Sequence, residues 1–153
     1  FEIQIVIVCG HNHRLYHQLE RETEDSKHRI MLTGYVDYIE ELMAVSDLMI
    51  TKAGGLTVSE AIAMKLPMLL YPSIGGQEFD NMQFLLDTQT ALLANSDQDL
   101  YNKLIQMLTD HNLLAILQNN AGQLQQKEAA FKAVQVMAEL ISDENKFRFA
   151  SGV

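Results

Sequence analysis

Short apolar runs alternate with helical patterns over most of this chain, and this alternation constrains the fold more than any other feature. Ile3–Val8 (IQIVIV) is β-branched and almost continuously apolar, as in a strand covered on both faces. The other predicted strands are Arg29–Thr33, Asp47–Thr51, Met68–Tyr71 and Ala91–Ala94. These strands are separated by helical patterns at His11–Glu24, Tyr38–Ala44, Gly55–Met64 and Gln77–Asp87. The sequence therefore predicts an α/β protein with a parallel sheet and helices on both faces.

The last third of the chain has no strand pattern and predicts helices alone. One helix face is outlined by apolar residues at positions i, i+4, i+7 and i+8, namely Leu100, Leu104, Met107 and Leu108. Ser96, followed three residues later by Asp99, resembles a capping box at the start of this helix. Further helices are predicted at Asn112–Gln126 and Phe131–Ile141.

Length and charge exclude several classes of protein. The 153 residues predict one domain, over residues 1–141, followed by a loose tail over residues 142–153. The net charge of 11 − 20 = −9 argues against a nucleic-acid partner and against an electrostatic membrane anchor. Cys9 is the single cysteine, which predicts a reducing, cytoplasmic compartment. No apolar run reaches the roughly 20 residues of a membrane span.

The loops that follow the predicted strands form the candidate site, because ligands of parallel α/β sheets bind beyond the carboxyl ends of the strands. After the first strand, CGHN offers Gly10 for close backbone approach, and His11 and Asn12 to bond a ligand. His11 and Asn12 would equally serve to cap the next helix. After the second strand, GYV at residues 34–36 presents backbone groups beside Tyr35 to the edge of a flat base.

The third loop, within ITKAGGLTVSEA, suggests an anion site. Gly54 and Gly55 bring bare backbone to a helix N-terminus, where free N–H groups and the helix dipole favour phosphate, and Lys52 adds a charge nearby. Thr57 would donate to a phosphate oxygen, and Glu60 suits the paired hydroxyls of a ribose. The alternative interpretation is a capping box, since Thr57 and Glu60 have its spacing. The loop does not match the GxxxxGK[ST] pattern of ATP-hydrolysing enzymes.

The fourth loop, PSIGGQEFDN, suggests a polyol site. It carries two glycines before a helix whose first turn is polar, with Gly75 and Gly76 followed by Gln77, Glu78, Asp80 and Asn81. Acidic residues fit the helix dipole, and the amide of Gln77 suits sugar hydroxyls. Together the third and fourth loops would provide neighbouring anion and polyol sites, as a nucleotide-linked sugar requires.

The ordered set GYV, ITKAGGLTVSEA and LPMLLYPSIGGQEFDN, with the short strand near Ala91, resembles the C-terminal, Rossmann-like domain of GT-B glycosyltransferases. Within these it is most similar to glycosyltransferase family 28, and its GGQE..N form resembles the diacylglycerol glucosyltransferases and monogalactosyldiacylglycerol synthases of that family. The resemblance covers Ile3 to about Ile141.

The resemblance implies a UDP-sugar donor site. Backbone at Val36 would contact uracil beside Tyr35, the Gly54–Thr57 loop would meet the diphosphate, and Glu60 would bind the ribose. Gln77 and Glu78 would hold the donor sugar, with Asn81 close by. The predicted donor site consists of Gly10, Asn12, Gly34, Tyr35, Val36, Lys52, Gly54, Gly55, Leu56, Thr57, Glu60, Gly76, Gln77, Glu78 and Asn81.

The resemblance also implies parts that this sequence does not contain. Related enzymes carry an N-terminal acceptor domain and begin this domain with a central strand and a Gly-rich loop. We therefore expect a fragment whose sheet has a gap between Ile3–Val8 and Asp47–Thr51, which either closes or is filled by another segment.

The implied function is transfer of a hexose from UDP-glucose or UDP-galactose to a diacylglycerol-type lipid, with inversion and without a metal or other cofactor. No catalytic base is assigned to this chain, the five histidines are interpreted as surface or capping residues, and the isolated piece is expected to be inactive. The lipid and the membrane surface would be reached through the acceptor domain, peripherally and from the cytoplasm. Alternatives are a separate UDP-sugar-binding subunit that needs a partner acceptor protein, and a UDP-N-acetylglucosamine-dependent transferase or epimerase of the same architecture. A flavodoxin-like receiver would need clustered acidic residues that these loops lack.

Overall fold

A computed structural model describes residues 2–72, 76–124 and 134–139, and for Gln77 it describes the backbone alone. The chain divides into two compact units, Phe1–Val45 (unit 1) and Ser46–Val153 (unit 2). None of the helices in the described ranges is long and apolar enough to cross a bilayer. The predicted tail over residues 142–153, both ends of the predicted Phe131–Ile141 helix and the Ser73–Gly75 loop lie outside the described residues.

Unit 1 is built from two strand–helix pairs. Its elements in chain order are β1 (Gln4–Val8), α1 (His13–Thr23), β2 (Arg29–Thr33) and α2 (Ile39–Ala44). The two strands are parallel, in a register that runs from Gln4 opposite Arg29 to Val8 opposite Thr33. Helix α1 connects them and packs against β2, so both strands end at the same edge of the sheet.

Strand β1 is covered on one face only, which differs from the expectation for Ile3–Val8. The burial pattern alternates along the strand, leaving Val6 42% and Val8 39% exposed, and Met31 of β2 is 47% exposed. The continuous apolar run identified the strand, but the number of faces covered depends on which helices pack there, and this is a tertiary property.

In its described residues, unit 2 contains three parallel strands and four helices of nine or more residues. Its elements are β3 (Met49–Thr51), α3 (Gly55–Ala63), β4 (Met68–Leu70), α4 (Gly76–Asp87), β5 (Ala91–Leu93), α5 (Asp97–Thr109) and α6 (His111–Leu124). Residues 134–139 are also helical. The strand order is β3-β4-β5, with every pair parallel.

The core of unit 2 lies around β4. This central strand is buried along its whole length, with Met68, Leu69 and Leu70 no more than 1% exposed. Leu69 packs in one cluster with Ala94, Met107 and Leu117. The helix face predicted from the leucine spacing in α5 therefore does face the core.

Local signals place several helix ends. Asn12 caps α1 through its side-chain oxygen, which accepts from Leu15 N–H at 3.0 Å. Ser96 caps α5 by accepting from Asp99 N–H at 3.2 Å, as the capping-box spacing predicts. The carboxylate of Asp99 reaches back to Asn95 N–H at 2.8 Å, one residue earlier than a capping box requires.

The strands form two sheets in the described residues, β1-β2 and β3-β4-β5. Strands β1 and β3, which were expected to flank a gap, thus belong to different sheets. All pairs are parallel with connecting helices, so the predicted α/β class with helices on both faces is confirmed.

Candidate functional site

The loop between β3 and α3 ends in a helix N-terminus that no side chain of the described ranges caps. Helix α3 begins at Gly55, with Gly54 as its N-cap, and no side-chain hydrogen bond is made there. Thr57 is therefore the third helical residue, and its hydroxyl does not cap the helix. The capping-box interpretation of Thr57 and Glu60 is wrong, because a capping box needs the Thr outside the helix and the Glu at its third position.

The two glycines of this loop are not required by the local backbone. Gly54 has φ −70° and ψ 133°, which any residue adopts, and a Cβ built there would meet no described atom within 4 Å. A Cβ at Gly55 would lie 3.7 Å from Asn81 Nδ2, an ordinary contact. Among the described residues, neither strain nor packing explains the pair, and Gly54 lies at a positive helix end with open space around it.

Glu60 lies in the second turn of α3, and its side chain is partly buried. Its carboxylate forms no hydrogen bond or ion pair with another residue in the described part of the chain. A partly buried carboxylate is an acceptor of up to four hydrogen bonds, so it is available for ligand hydroxyls.

Helix α4 is tied to the β3–α3 loop at two points. Lys52 Nζ lies 2.7 Å from Glu78 Oε1, and Asn81 Nδ2 donates to the carbonyl oxygen of Ala53 at 3.0 Å. Lys52, predicted as a phosphate ligand, is thus paired with Glu78, predicted as a sugar ligand. The structure brings these residues together although 26 positions separate Lys52 from Glu78.

A shallow cleft of about 160 Å³ lies beside these two contacts. It is lined by Ala53, Leu70, Tyr71, Pro72, Glu78, Phe79 and Met82. The Tyr71 hydroxyl donates to Asp97 Oδ1 at 2.7 Å, and this hydrogen bond to a carboxylate raises the pKa of Tyr71. The described walls are mostly apolar, and Glu78 is the one carboxylate among these lining residues.

The predicted site residues of unit 1 lie at the carboxyl ends of its strands. Gly10 has φ +56°, a conformation that favours glycine, and its carbonyl oxygen would lie 3.5 Å from a Cβ at Gly34. The ring of Tyr35, 65% exposed, stacks on His11 with centroids 4.6 Å apart. Val36 is partly buried, and Asn12 is used as the helix cap.

Ala53, Tyr71 and Phe79 line the cleft of unit 2 and were not predicted as site residues. In unit 1, His11 was predicted as a ligand or a helix cap, and its stacking on Tyr35 was not predicted, because no local pattern signals a contact between residues 24 positions apart. The remaining predicted residues lie as expected at helix starts, with Leu56 83% exposed beside Gly55 and Gly76 opening α4.

Residues 2–141 match the sequence pattern of the Glycosyltransferase family 28 C-terminal domain. The chain belongs to glycosyltransferase family 28. The resemblance drawn from its loops is therefore confirmed, and the family 28 domain accounts for almost all of the chain.

A curated relative agrees with this family. The family 28 domain is 36% identical over 129 residues to a processive diacylglycerol beta-glucosyltransferase of Bacillus pumilus, covering 84% of this chain and 34% of that protein. The chain thus spans about a third of the length of the curated relatives it matches.

The fold is shared with larger proteins. The crystal structure of Acinetobacter baumannii MurG is similar with a TM-score of 0.75 and 22% identity, over 90% of this chain and 42% of that one. A putative UDP-N-acetylglucosamine 2-epimerase from Listeria monocytogenes has a TM-score of 0.63 and 13% identity, over 93% of this chain and 46% of that one. At these identities the likeness concerns the fold alone.

Proposed function

We propose that unit 2 binds the diphosphate, ribose and hexose of a UDP-sugar, and that the whole protein transfers this hexose to a diacylglycerol-type lipid with inversion. The observation that carries the proposal is the start of α3, where an uncapped helix end, open space around Gly54 and a Glu60 carboxylate without a partner among the described residues occur together. The N–H groups of the first turn would bind the diphosphate. Glu60 would accept hydrogen bonds from the ribose hydroxyls.

The same helix end would also assist the reaction. Cleavage of the sugar–phosphate bond leaves negative charge on UDP, and a fixed helix dipole stabilises such developing charge without reorganising. The donor would be UDP-glucose or UDP-galactose, bound without a metal or other cofactor. The acceptor and the base that activates it would belong to an N-terminal acceptor domain, which would bring the protein to the cytoplasmic membrane surface.

A separate proposal concerns unit 1. The backbone of Gly34 and Val36 and the exposed ring of Tyr35 would contact the uracil base. This is supported by the position of these residues immediately after β2, where the loops of parallel strands bind ligands.

The ribose role of Glu60 is tested by calorimetric titration with UDP and with its 2′-deoxy analogue. We expect Glu60→Ala to weaken UDP binding by about tenfold, since a hydrogen bond to a charged group contributes about 1.5–3 kcal/mol. The variant should also lose the preference of the wild type for UDP over the deoxy analogue.

Asp80→Ala is the matched control, because it removes an exposed carboxylate from the first turns of α4 and should leave both affinities unchanged. Equal UDP affinity in Glu60→Ala and the wild type would exclude the ribose role. A wild-type chain that does not bind UDP would overturn the proposed function itself.

A further inference from the structure

The pair formed by Lys52 and Glu78 is a tertiary contact between the β3–α3 loop and the first turn of α4, both in the proposed donor site. Lys52 directly follows β3, and Glu78 lies in the first turn of α4. Their charged atoms are 2.7 Å apart, a short, charge-assisted hydrogen bond. The Glu78 side chain is only 24% exposed whereas that of Lys52 is 65% exposed, so the carboxylate is the more enclosed partner.

A second link restrains the same two segments. Asn81 follows Glu78 by three residues and therefore lies on the same face of α4. Its amide donates to the carbonyl of Ala53, the residue after Lys52. Two consecutive residues before α3 are thus held by two side chains of α4, and Lys52 restrains the Glu78 carboxylate.

The geometry does not favour Lys52 as a direct ligand of the diphosphate. Its ammonium group is already within 2.7 Å of a carboxylate. Turning it toward phosphate would break this charge-assisted hydrogen bond to the more enclosed Glu78 carboxylate.

We propose that Lys52 is a positioning residue that acts through Glu78. It holds the Glu78 carboxylate at the cleft, oriented to accept hydrogen bonds from hydroxyls of the donor hexose, and it does not bind the diphosphate. This inference rests on the proposed function. It assigns to Lys52 an effect on recognition of the sugar and none on recognition of the nucleotide.

Lys52 as a ligand of the diphosphate and Lys52 as a positioning residue for Glu78 predict different affinities for UDP and UDP-glucose. Free UDP ends in a phosphate monoester and carries more negative charge than UDP-glucose. A lysine that binds the diphosphate would therefore matter at least as much for UDP as for UDP-glucose. A lysine that orients Glu78 would affect the affinity for UDP-glucose and UDP-galactose but not the affinity for UDP.

The test measures the affinities of UDP, UDP-glucose and UDP-galactose by calorimetry in the full 153-residue chain. We expect Lys52→Met to weaken binding of at least one UDP-hexose by about tenfold and to change UDP binding by less than about twofold. Glu78→Gln should give the same pattern, and the double variant should lose no more than either single variant, because both remove one coupled unit. Lys52→Arg, which keeps the ion pair, should retain most of the UDP-hexose affinity.

Lys65→Met serves as the matched control, since it removes the same charge at the opposite end of α3 and should leave all three affinities unchanged. Equal losses for UDP and both UDP-hexoses in Lys52→Met would overturn the inference and leave the proposed function intact. Additive losses in the double variant would also overturn it. Absence of UDP binding by the wild type would instead overturn the proposed function, and this inference with it.

Discussion

The imidazole of His11 lies parallel to the ring of Tyr35, with centroids 4.6 Å apart and 8° between the planes. The two residues follow β1 and β2, whose last residues, Val8 and Thr33, are opposite each other in the sheet. The parallel register therefore brings together two rings that are 24 positions apart in sequence. Because both side chains are exposed, the stack should contribute only about 0.5 kcal/mol to stability.

This stack predicts a nuclear magnetic resonance signature. A proton above the face of an aromatic ring is shielded, so the imidazole resonances of His11 should move downfield in Tyr35→Ala. Tyr35→Phe should preserve their position, and His28, elsewhere in unit 1, should be unaffected in both variants. An unmoved His11 resonance in Tyr35→Ala would show that the rings do not stack in solution.

Stability and ligand affinity should change in opposite directions when Gly54 is replaced by aspartate. The φ and ψ of Gly54 are those of a normal N-cap, so an aspartate side chain there would cap α3. Capping and reduced unfolded-state entropy should raise the free energy of unfolding by about 0.5–1 kcal/mol. The same carboxylate would occupy the N–H groups that the diphosphate needs and would repel it, so UDP binding should fall at least about tenfold.

Denaturant unfolding and UDP calorimetry measure these two effects. Gly54→Asn is the control, because it caps the helix without a charge and should weaken UDP binding less than Gly54→Asp. Undiminished UDP affinity in Gly54→Asp would contradict a phosphate site at this helix end.

Tyr71 should ionise at higher pH than an ordinary tyrosine. Its hydroxyl donates to Asp97, and the neighbouring carboxylate charge disfavours the phenolate, so the pKa is raised above 10.0. The stabilisation from this hydrogen bond should be fully present below pH 10 and should be lost as the pH rises through the folded-state pKa. The difference between the tyrosinate absorbance titrations of the wild type and Tyr71→Phe isolates this residue among the five tyrosines.

In an Asp97→Ala background, the midpoint pH of the Tyr71 titration, obtained from the same difference, should fall toward that of an ordinary tyrosine. Gln98→Ala, at the next position of α5, should not move it. A Tyr71 midpoint that is unchanged by Asp97→Ala would contradict the hydrogen bond as its cause.

Gln89→Gly should stabilise the protein. Gln89 has φ +51° just after α4, a left-handed conformation that costs a side-chain-bearing residue about 1–2 kcal/mol. Glycine adopts it freely but loses more entropy on folding, so the net gain in unfolding free energy should be about 0.5–1 kcal/mol. Gln83→Gly, inside α4, should instead lose about 1 kcal/mol, as measured by denaturant unfolding. A loss of stability in Gln89→Gly would show that this turn does not need the left-handed conformation.

Much of the fold could be predicted because its signals are local. Apolar runs and helical spacing identified all five strands and the helices between them. The helix caps at Asn12 and Ser96 could be predicted because each capping hydrogen bond joins residues only three positions apart. The number of faces covered on β1 was not predictable, since it depends on which helices pack against the strand.

The sequence by itself determined the element order, the parallel α/β class and the loops that carry polar and glycine residues, because these follow from periodicity and from backbone preferences within a few residues. Only the tertiary structure decided how those residues are used. It starts α3 at Gly55, which excludes Thr57 as a cap, and it pairs Lys52 with Glu78 and stacks His11 on Tyr35. These contacts join segments that are distant in the chain, and packing of the sheets and helices, which no local pattern encodes, brings them within bonding distance.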